Sequence, residues 1–357
     1  MQSLKKIRVV VALVVFVLAA VVFLDFTGHV PLTLTTILSS LQLVPSLAKL
    51  FTGLTIASFG LLFVVLLTVA FGRVYCSTIC PLGTLQDIVI RLSGRMRRRR
   101  WYRHKAAPVA IHYALLGASG IMAVAGSMAL VDLLEPFSNF GRILTNLGDP
   151  VFVSLNNATA FIFGRLGIFG LYHVPLLHMQ TMAVLLTLVF LGVLVYLSEK
   201  HGRLFCNLLC PAGALLSIIS RISFFKIAIV EERCTDCGFC EMVCKANCID
   251  AESKKVDFHA CVGCYNCIDA CPTVALKFEG FGTRKETAKP VPVDAPRRAF
   301  FGAVLATAST MLLRGNNDKN QDTTKVASYD QSRNTPVTPP GARNQNRFSN
   351  LCTACHL

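Results

Sequence analysis

Charge is what this sequence has least of. Only 15% of its 357 residues are Asp, Glu, Lys or Arg, against 53% hydrophobic, a balance too apolar for an ordinary soluble protein of this length. A lipid bilayer is expected to supply much of its solvent. Acidic residues are the scarcer sign, 20 against 35 basic, which leaves a net charge of +15. A basic excess suits nucleic acid, but cytoplasmic loops of membrane proteins carry one too, and the placement of these charges favours the second reading. No nucleic-acid partner is expected. The first apolar run lacks a small-residue cleavage site, so it reads as an anchor and not as a removable signal peptide.

Long uncharged runs are present instead. Residues 9–24, 50–72, 106–131 and 179–198 are apolar over lengths near the ~20 residues a spanning helix needs. The first is short, and Arg8 and Asp25 at its ends are expected to snorkel to the interfaces. Lys5, Lys6 and Arg8 precede the first run, and Arg91, Arg95, Arg97, Arg98, Arg99, Arg100, Arg103 and Lys105 follow the second. These sides are assigned to the cytoplasm. The other connections, whose only bases are Lys49 and then Arg142 and Arg165, should face outward, with the stretches near 30–48 and 148–176 lying along the interface.

An internal repeat runs through this region. Gly72-Arg-Val-Tyr-Cys76-Ser-Thr-Ile-Cys80-Pro81-Leu-Gly83 recurs 130 residues later as Gly202-Arg-Leu-Phe-Cys206-Asn-Leu-Leu-Cys210-Pro211-Ala-Gly213. Both copies follow the second helix of a hairpin, which implies a parallel repeat about an axis along the membrane normal. Cysteines four apart before a helix-breaking proline lie on one face of a final turn. If the axis passes through the bundle, Cys76, Cys80, Cys206 and Cys210 converge and could hold a further iron-sulfur centre at the cytoplasmic edge. Redox-active or merely packed thiols are the alternative. Arg73 and Arg203 either offset the charge of such a centre or anchor the interface.

Of the 15 cysteines, 13 lie before residue 272, twelve of them in two pairs and two quartets with Cys248 besides, and two lie near the end of the sequence, a clustering that favours metal over disulfides. The strongest pattern is Cys234-Thr-Asp-Cys237-Gly-Phe-Cys240-Glu-Met-Val-Cys244, followed by Cys261-Val-Gly-Cys264-Tyr-Asn-Cys267-Ile-Asp-Ala-Cys271-Pro272. This is the spacing of a bacterial ferredoxin with two [4Fe-4S] clusters, in which the fourth ligand of each comes from the other run. One cluster is assigned to Cys234, Cys237, Cys240 and Cys271, the other to Cys244, Cys261, Cys264 and Cys267. A zinc site would use four ligands, not eight in a repeated pattern. Lys245 stands where a proline usually follows, and Cys248 is an extra thiol that could compete with Cys244, although spacing favours Cys244.

Four spans, duplicated CxxxCP motifs and a following two-cluster ferredoxin resemble the NapH/NosR-type membrane ferredoxins, quinol-dehydrogenase-like subunits associated with periplasmic reductases. The related oxidase assembly protein CcoG shares these parts. The resemblance covers about residues 5–280, and nothing like the flavin-binding periplasmic domain of NosR members precedes the first span. It implies an electron-transfer subunit relaying electrons between quinol or a cytoplasmic donor and a partner reductase outside the cytoplasm. The alternative it allows is a maturation or regulatory factor that reduces a metal or cofactor for another enzyme. No catalytic acid, base or nucleophile is expected, because cluster electron transfer needs none.

The chain is therefore read as a polytopic α-helical membrane protein of the bacterial inner membrane. Residues 1–225 form the four-span domain with its two CxxxCP motifs, and 226–280 a cytoplasmic α+β two-cluster ferredoxin domain. Residues 281–298 are a linker ending in a twin-arginine-like Pro296-Arg297-Arg298, 299–313 a fifth apolar run, and 314–350 a disordered tether. Residues 351–357 carry Cys352, Cys355 and His356. That ending matches a haem c attachment motif, but the preferred reading is the start of a third ferredoxin motif, carried outside by the fifth run. His112 in the third run and His29, His173 and His178 near the outer surface are candidates for a quinol or haem b site, with packing the competing role.

Overall fold

A computed structural model describes residues 2–25, 30–52, 56–96, 109–165, 174 and 180–280. The linker, the fifth apolar run, the tether, Cys352, Cys355, His29, His173, His178 and most of the arginine run lie outside these residues.

Helices dominate residues 2–220. The first half contains α1 (Gln2–Leu24), α2 (Leu32–Ser40), α3 (Leu43–Thr52), α4 (Ile56–Phe71), α5 (Tyr75–Thr78) and α6 (Pro81–Met96). The second contains α7 (Val109–Val124), α8 (Ala129–Leu134), α9 (Pro136–Ile143), a π-helical turn (Leu144–Gly148), α10 (Asp149–Arg165), α11 (Thr181–His201), α12 (Leu204–Leu208) and α13 (Pro211–Ser220). Two segments, Leu4–Leu24 and Thr181–His201, are long and apolar enough to cross a membrane by length and composition. α4 and α7 are apolar but shorter. Leu, Val, Ile and Phe side chains of α1, α4, α7, α10 and α11 face outward, which water would not tolerate on this scale.

Three sequence boundaries shift. The 50–72 run begins inside α3, and α4 starts only at Ile56. The 106–131 run breaks after Val124, because Gly126 adopts a left-handed conformation (φ +87°) and starts a new direction into α8. The 30–48 stretch is helical: α2 and α3 form a hairpin against α4, with Gln42 in its turn fully buried.

The short helices α5 and α12 explain the repeat. α4 and α11 end at Gly72 (φ +74°) and Gly202 (φ +68°), the left-handed position that stops a helix. Each cysteine pair thus begins on a separate one-turn helix rather than on the last turn of a span, and Pro81 and Pro211 open the next helix, where a missing N–H costs nothing.

Residues 225–280 form a small α+β unit. β1 (Phe225–Ile229) pairs antiparallel with β4 (Leu276–Gly280), from Phe225 opposite Gly280 to Ile229 opposite Leu276. Between them lie α14 (Phe239–Met242), the short antiparallel pair β2 (Ile249–Asp250) and β3 (Lys255–Val256), and α15 (Asn266–Ala270). A stack of Phe71, Phe225 and Phe278, with ring centroids 5.5–6.3 Å apart, ties this sheet to the end of α4.

Candidate iron-sulfur sites

All thirteen described cysteines are free thiols, and the fold gathers them into three groups. No set of three or more His, Cys, Asp or Glu side chains among the described residues closes to the spacing of a single metal ion.

The first group lines one cavity with Cys234, Cys237, Cys240 and Cys271. Gly238 (φ +69°) and Asp236 (φ +51°) supply the left-handed turns that wrap this loop. Cys237 is exposed, so this is the outer end of the unit. The second cavity holds Cys244, Cys261, Cys264 and Cys267, and also Cys248. Cys248 Sγ lies 3.4 Å from Cys244 Sγ and its backbone N–H donates to the same sulfur. These two hydrogen bonds, the thiol's first, hold Cys244 down at about 7 against the opposing effect of burial. Among the two candidates for the fourth place, Cys244 is the better thiolate and Cys248 the proton-holding neighbour.

The third group is Cys76, Cys80, Cys206 and Cys210, all buried. Burial and mutual repulsion push Cys80, Cys206 and Cys210 up, Cys206 to about 11. Cys80 lies within electrostatic reach of Cys76, Cys206 and Cys210, so the two motifs are neighbours. Gly213 N–H donates to Cys210 Sγ at 3.3 Å, and Gly83 stands in the same relation to Cys80.

Arginines hold this centre by crossing between the repeats. Arg73 of the first motif donates to the carbonyl of Cys206 (3.0 Å) and to Asn207 Oδ1 (2.9 Å) of the second. Arg203 of the second donates to the carbonyls of Cys76 (2.6 Å) and Gly83 (3.0 Å) of the first. Both are buried, so neither is an interfacial anchor. The motif glycines follow from this exchange. A Cβ on Gly83 would stand 2.2 Å from the Cys76 carbonyl oxygen, and one on Gly213 would stand 2.3 Å from the Cys206 carbonyl oxygen and 2.9 Å from Arg73 Nη2.

The same residues dock the ferredoxin unit. Arg73 also donates to the His259 carbonyl (2.7 Å), Ser77 to that of Gly263 (3.3 Å), and Asn207 to those of Ala246 (3.3 Å) and Ala260 (3.1 Å). Arg203 N–H donates to the Lys245 carbonyl at 2.8 Å, and a Cβ on Gly202 would strike that oxygen at 2.2 Å. Lys245 itself replaces the usual proline for a visible reason. Its ammonium reaches Asp87 (3.3 Å), which also pairs with Arg203 (2.9 Å) and Arg8 (3.0 Å). Arg8 is therefore buried in this cluster rather than snorkelling. Burial alone would raise the Asp87 carboxyl, but Arg203, Lys245 and Arg8 outweigh it and hold it below the usual range. Asp87, Asn207 and His259 carry no signal in the sequence beyond being polar residues in or near a motif, whereas Lys245 shows there only as a departure from the usual proline.

The third group suits an iron-sulfur cluster on its own chemistry. It offers four thiol donors, which metal binding would deprotonate, and two cations beside them. Gln86 adds a buried amide whose Nε2 has no hydrogen-bond partner among the described residues, while its Oε1 lies 3.3 Å from Cys206 Sγ. Half a turn of that amide would present the N–H to a thiolate. His112, buried, sits with Nε2 at 3.1 Å from the Cys210 carbonyl oxygen and its ring 5.8 Å from that of His259. It packs beside the second motif with His259 as its ring neighbour.

Comparisons with known proteins agree with this arrangement. Residues 53–101 and 181–229 both match one family of 4Fe-4S binding domains, and residues 254–277 match a second. The chain is 37% identical over 108 residues to an uncharacterized protein of Methanocaldococcus jannaschii, covering 30% of this chain and 42% of that one. It is 24% identical over 211 residues to YccM of Escherichia coli, whose name assigns it to electron transport, covering 59% and 52%. Over 253 residues it is 26% identical to the ferredoxin-type protein NapH of Escherichia coli, covering 68% and 72%. The chain thus spans about half the length, or less, of the first two. No solved structure matches it. Two copies of a 4Fe-4S binding segment ahead of a ferredoxin unit, with NapH and NosR among the relatives, support a NapH/NosR-type ferredoxin protein.

Proposed function

We propose that this chain is a membrane-bound electron-transfer subunit that relays electrons between quinol or a cytoplasmic donor and a partner reductase. The outward-facing apolar side chains of α1, α4, α7 and α11 support four spans arranged as a parallel repeat. The basic residues around Lys5 and Arg91 support a cytoplasmic ferredoxin unit. The observation that carries the reading is the docking of the second ferredoxin cavity directly onto both cysteine motifs through Arg73, Asn207 and Arg203, while the first cavity stays at the exposed end. Bound clusters would supply one-electron steps. The order is then the CxxxCP centre, the Cys244/Cys261/Cys264/Cys267 site, and the Cys234/Cys237/Cys240/Cys271 site.

In that relay the protein's own groups set charge and exclude water. Arg73 and Arg203 stand between the CxxxCP thiols and those of Cys261 and Cys264, and their charge offsets thiolates on both sides. Asp87 keeps the arginine, the lysine and the ferredoxin loop in one arrangement. The test is reduction of the anaerobically purified full chain by a short-chain quinol, followed by absorbance and EPR. Reduction of the clusters is expected; a protein that dithionite bleaches and quinol leaves oxidised would exclude quinol as the donor and favour the maturation role.

A further inference from the structure

We infer that Cys248 is a standby ligand of the second ferredoxin site, placed to take over from Cys244 without any other rearrangement of the cavity. This rests on the reading of that cavity as the seat of a [4Fe-4S] cluster and goes further, by giving its fifth thiol a role.

A cubane takes four thiolates, and this cavity is lined by five thiols, Cys244, Cys248, Cys261, Cys264 and Cys267. Cys244 and Cys248 are both buried, their sulfurs lie 3.4 Å apart, and the Cys248 backbone N–H donates to Cys244 Sγ at the same distance. The Cys248 thiol is also within hydrogen-bonding reach of Cys261. A buried cysteine kept only for packing behaves as a small apolar side chain. This one instead meets two thiols assigned as ligands and lines the same cavity as all four.

The backbone holds it there. Asn247 takes a left-handed conformation (φ +53°), which few residues other than glycine adopt without cost, and its N–H donates to the Cys244 carbonyl at 3.2 Å. The chain is thereby turned back so that two cysteines four apart face one another. Beyond the turn, the Asp257 N–H donates to the Cys248 carbonyl (2.7 Å), and Ile249 pairs with Val256 in the β2–β3 ladder. Within the turn, the carbonyls of Lys245 and Ala246 accept from the Arg203 N–H and the Asn207 amide. The loop is pinned along its length, so exchange of one sulfur for the other calls for side-chain rotation only.

The exchange balances within the pair. The iron bond to Cys244 breaks, one to Cys248 forms, and the Cys248 thiol proton crosses the 3.4 Å contact to the Cys244 sulfur. Charge and electron count stay the same, and no outside acid or base enters. Four thiolates serve the site in both arrangements, so the site survives the loss of Cys244.

The experiment compares the anaerobically purified full chain with Cys244→Ala, Cys248→Ala, the double variant and Cys264→Ala. Iron, labile sulfide and the EPR of the dithionite-reduced protein are measured in each. The single variants at 244 and 248 are expected to keep the parent's iron, whereas the double variant and Cys264→Ala lose about four atoms per chain. Bleaching of Cys248→Ala by a ferrous chelator should run about 10- to 100-fold faster than in the parent, the usual cost of removing a residue that supports a metal site. The EPR signal of the Cys234/Cys237/Cys240/Cys271 site reports that the unit has folded. Loss of iron in Cys244→Ala with that signal intact would overturn the inference, because Cys248 then does not replace Cys244. Loss in Cys248→Ala would overturn it too, by making Cys248 the resident ligand. Should Cys244→Ala fail to fold, a parental bleaching rate in Cys248→Ala overturns it. Parental iron in both Cys264→Ala and the double variant would overturn the cluster assignment of the cavity, and the inference with it.

Discussion

Asp87 shows how much one side chain decides here. It receives Arg203, Arg8 and Lys245, and so joins the second repeat, the first helix and the ferredoxin unit. Removing its charge leaves three buried or half-buried cations facing one another, and breaking such a pair costs about 3–5 kcal/mol. Asp87→Asn should therefore lower the Tm of the detergent-solubilised protein by several degrees. The pH dependence has a definite sign. Because the folded carboxyl titrates below its ordinary 3.8, its contribution is complete above that value and is lost only as pH falls through the lower, folded one. Mild acidification to about pH 5 should leave the Tm contribution of Asp87 intact, measured as an unchanged gap between parent and variant. The sequence conceals this residue for a physical reason. An acid on an amphipathic helix has the same local pattern whether it faces water or three cations from distant parts of the chain. The eight ferredoxin cysteines are legible because their spacing is local, whereas the partners of Asp87 stand 79 to 158 positions away.

At the scale of elements, the repeat was readable and its geometry only partly so. Identical residue types 130 positions apart announce two equivalent segments. They do not announce that each cysteine pair begins on its own one-turn helix, since that depends on a glycine taking positive φ and a proline opening the next helix. The α2–α3 hairpin was hidden for a similar reason: its apolar residues pack on α4, but a mostly uncharged loop beside a membrane gives the same composition. Convergence of the four CxxxCP thiols makes a definite prediction. Cys80→Ser should lower bound iron by about four atoms per chain if the site holds a cubane, with the ferredoxin EPR signals retained. Unchanged iron and labile sulfide would leave these thiols with a packing or redox role. A parallel Cys264→Ser variant should lose a ferredoxin signal instead, which separates the two sites.

The whole molecule is organised around one contact, the face where the ferredoxin unit rests on both motifs. Lys5 on α1 adds a salt bridge to Asp269 at 2.6 Å, but it lies at the exposed rim and contributes little. The interior of the face is different. Asn207 donates to the carbonyls of Ala246 and Ala260 and accepts from Arg73, so one amide holds the two loops that carry Cys244 and Cys261 against the bundle. Those carbonyls are buried, and water cannot replace the lost donor without opening the face. Asn207→Ala should cost about 1–3 kcal/mol, equivalent to about fivefold to 150-fold more frequent opening of that region. Hydrogen-deuterium exchange would show it as faster exchange in residues 244–248 and 259–264, with β1 and β4 unaffected. If the face is the route of electrons, quinol should then reduce the ferredoxin clusters more slowly, while dithionite, which reaches the exposed Cys237 end from water, reduces them as before. Faster exchange without slower transfer would mean that electrons enter the ferredoxin from its exposed end, reversing the order of the relay.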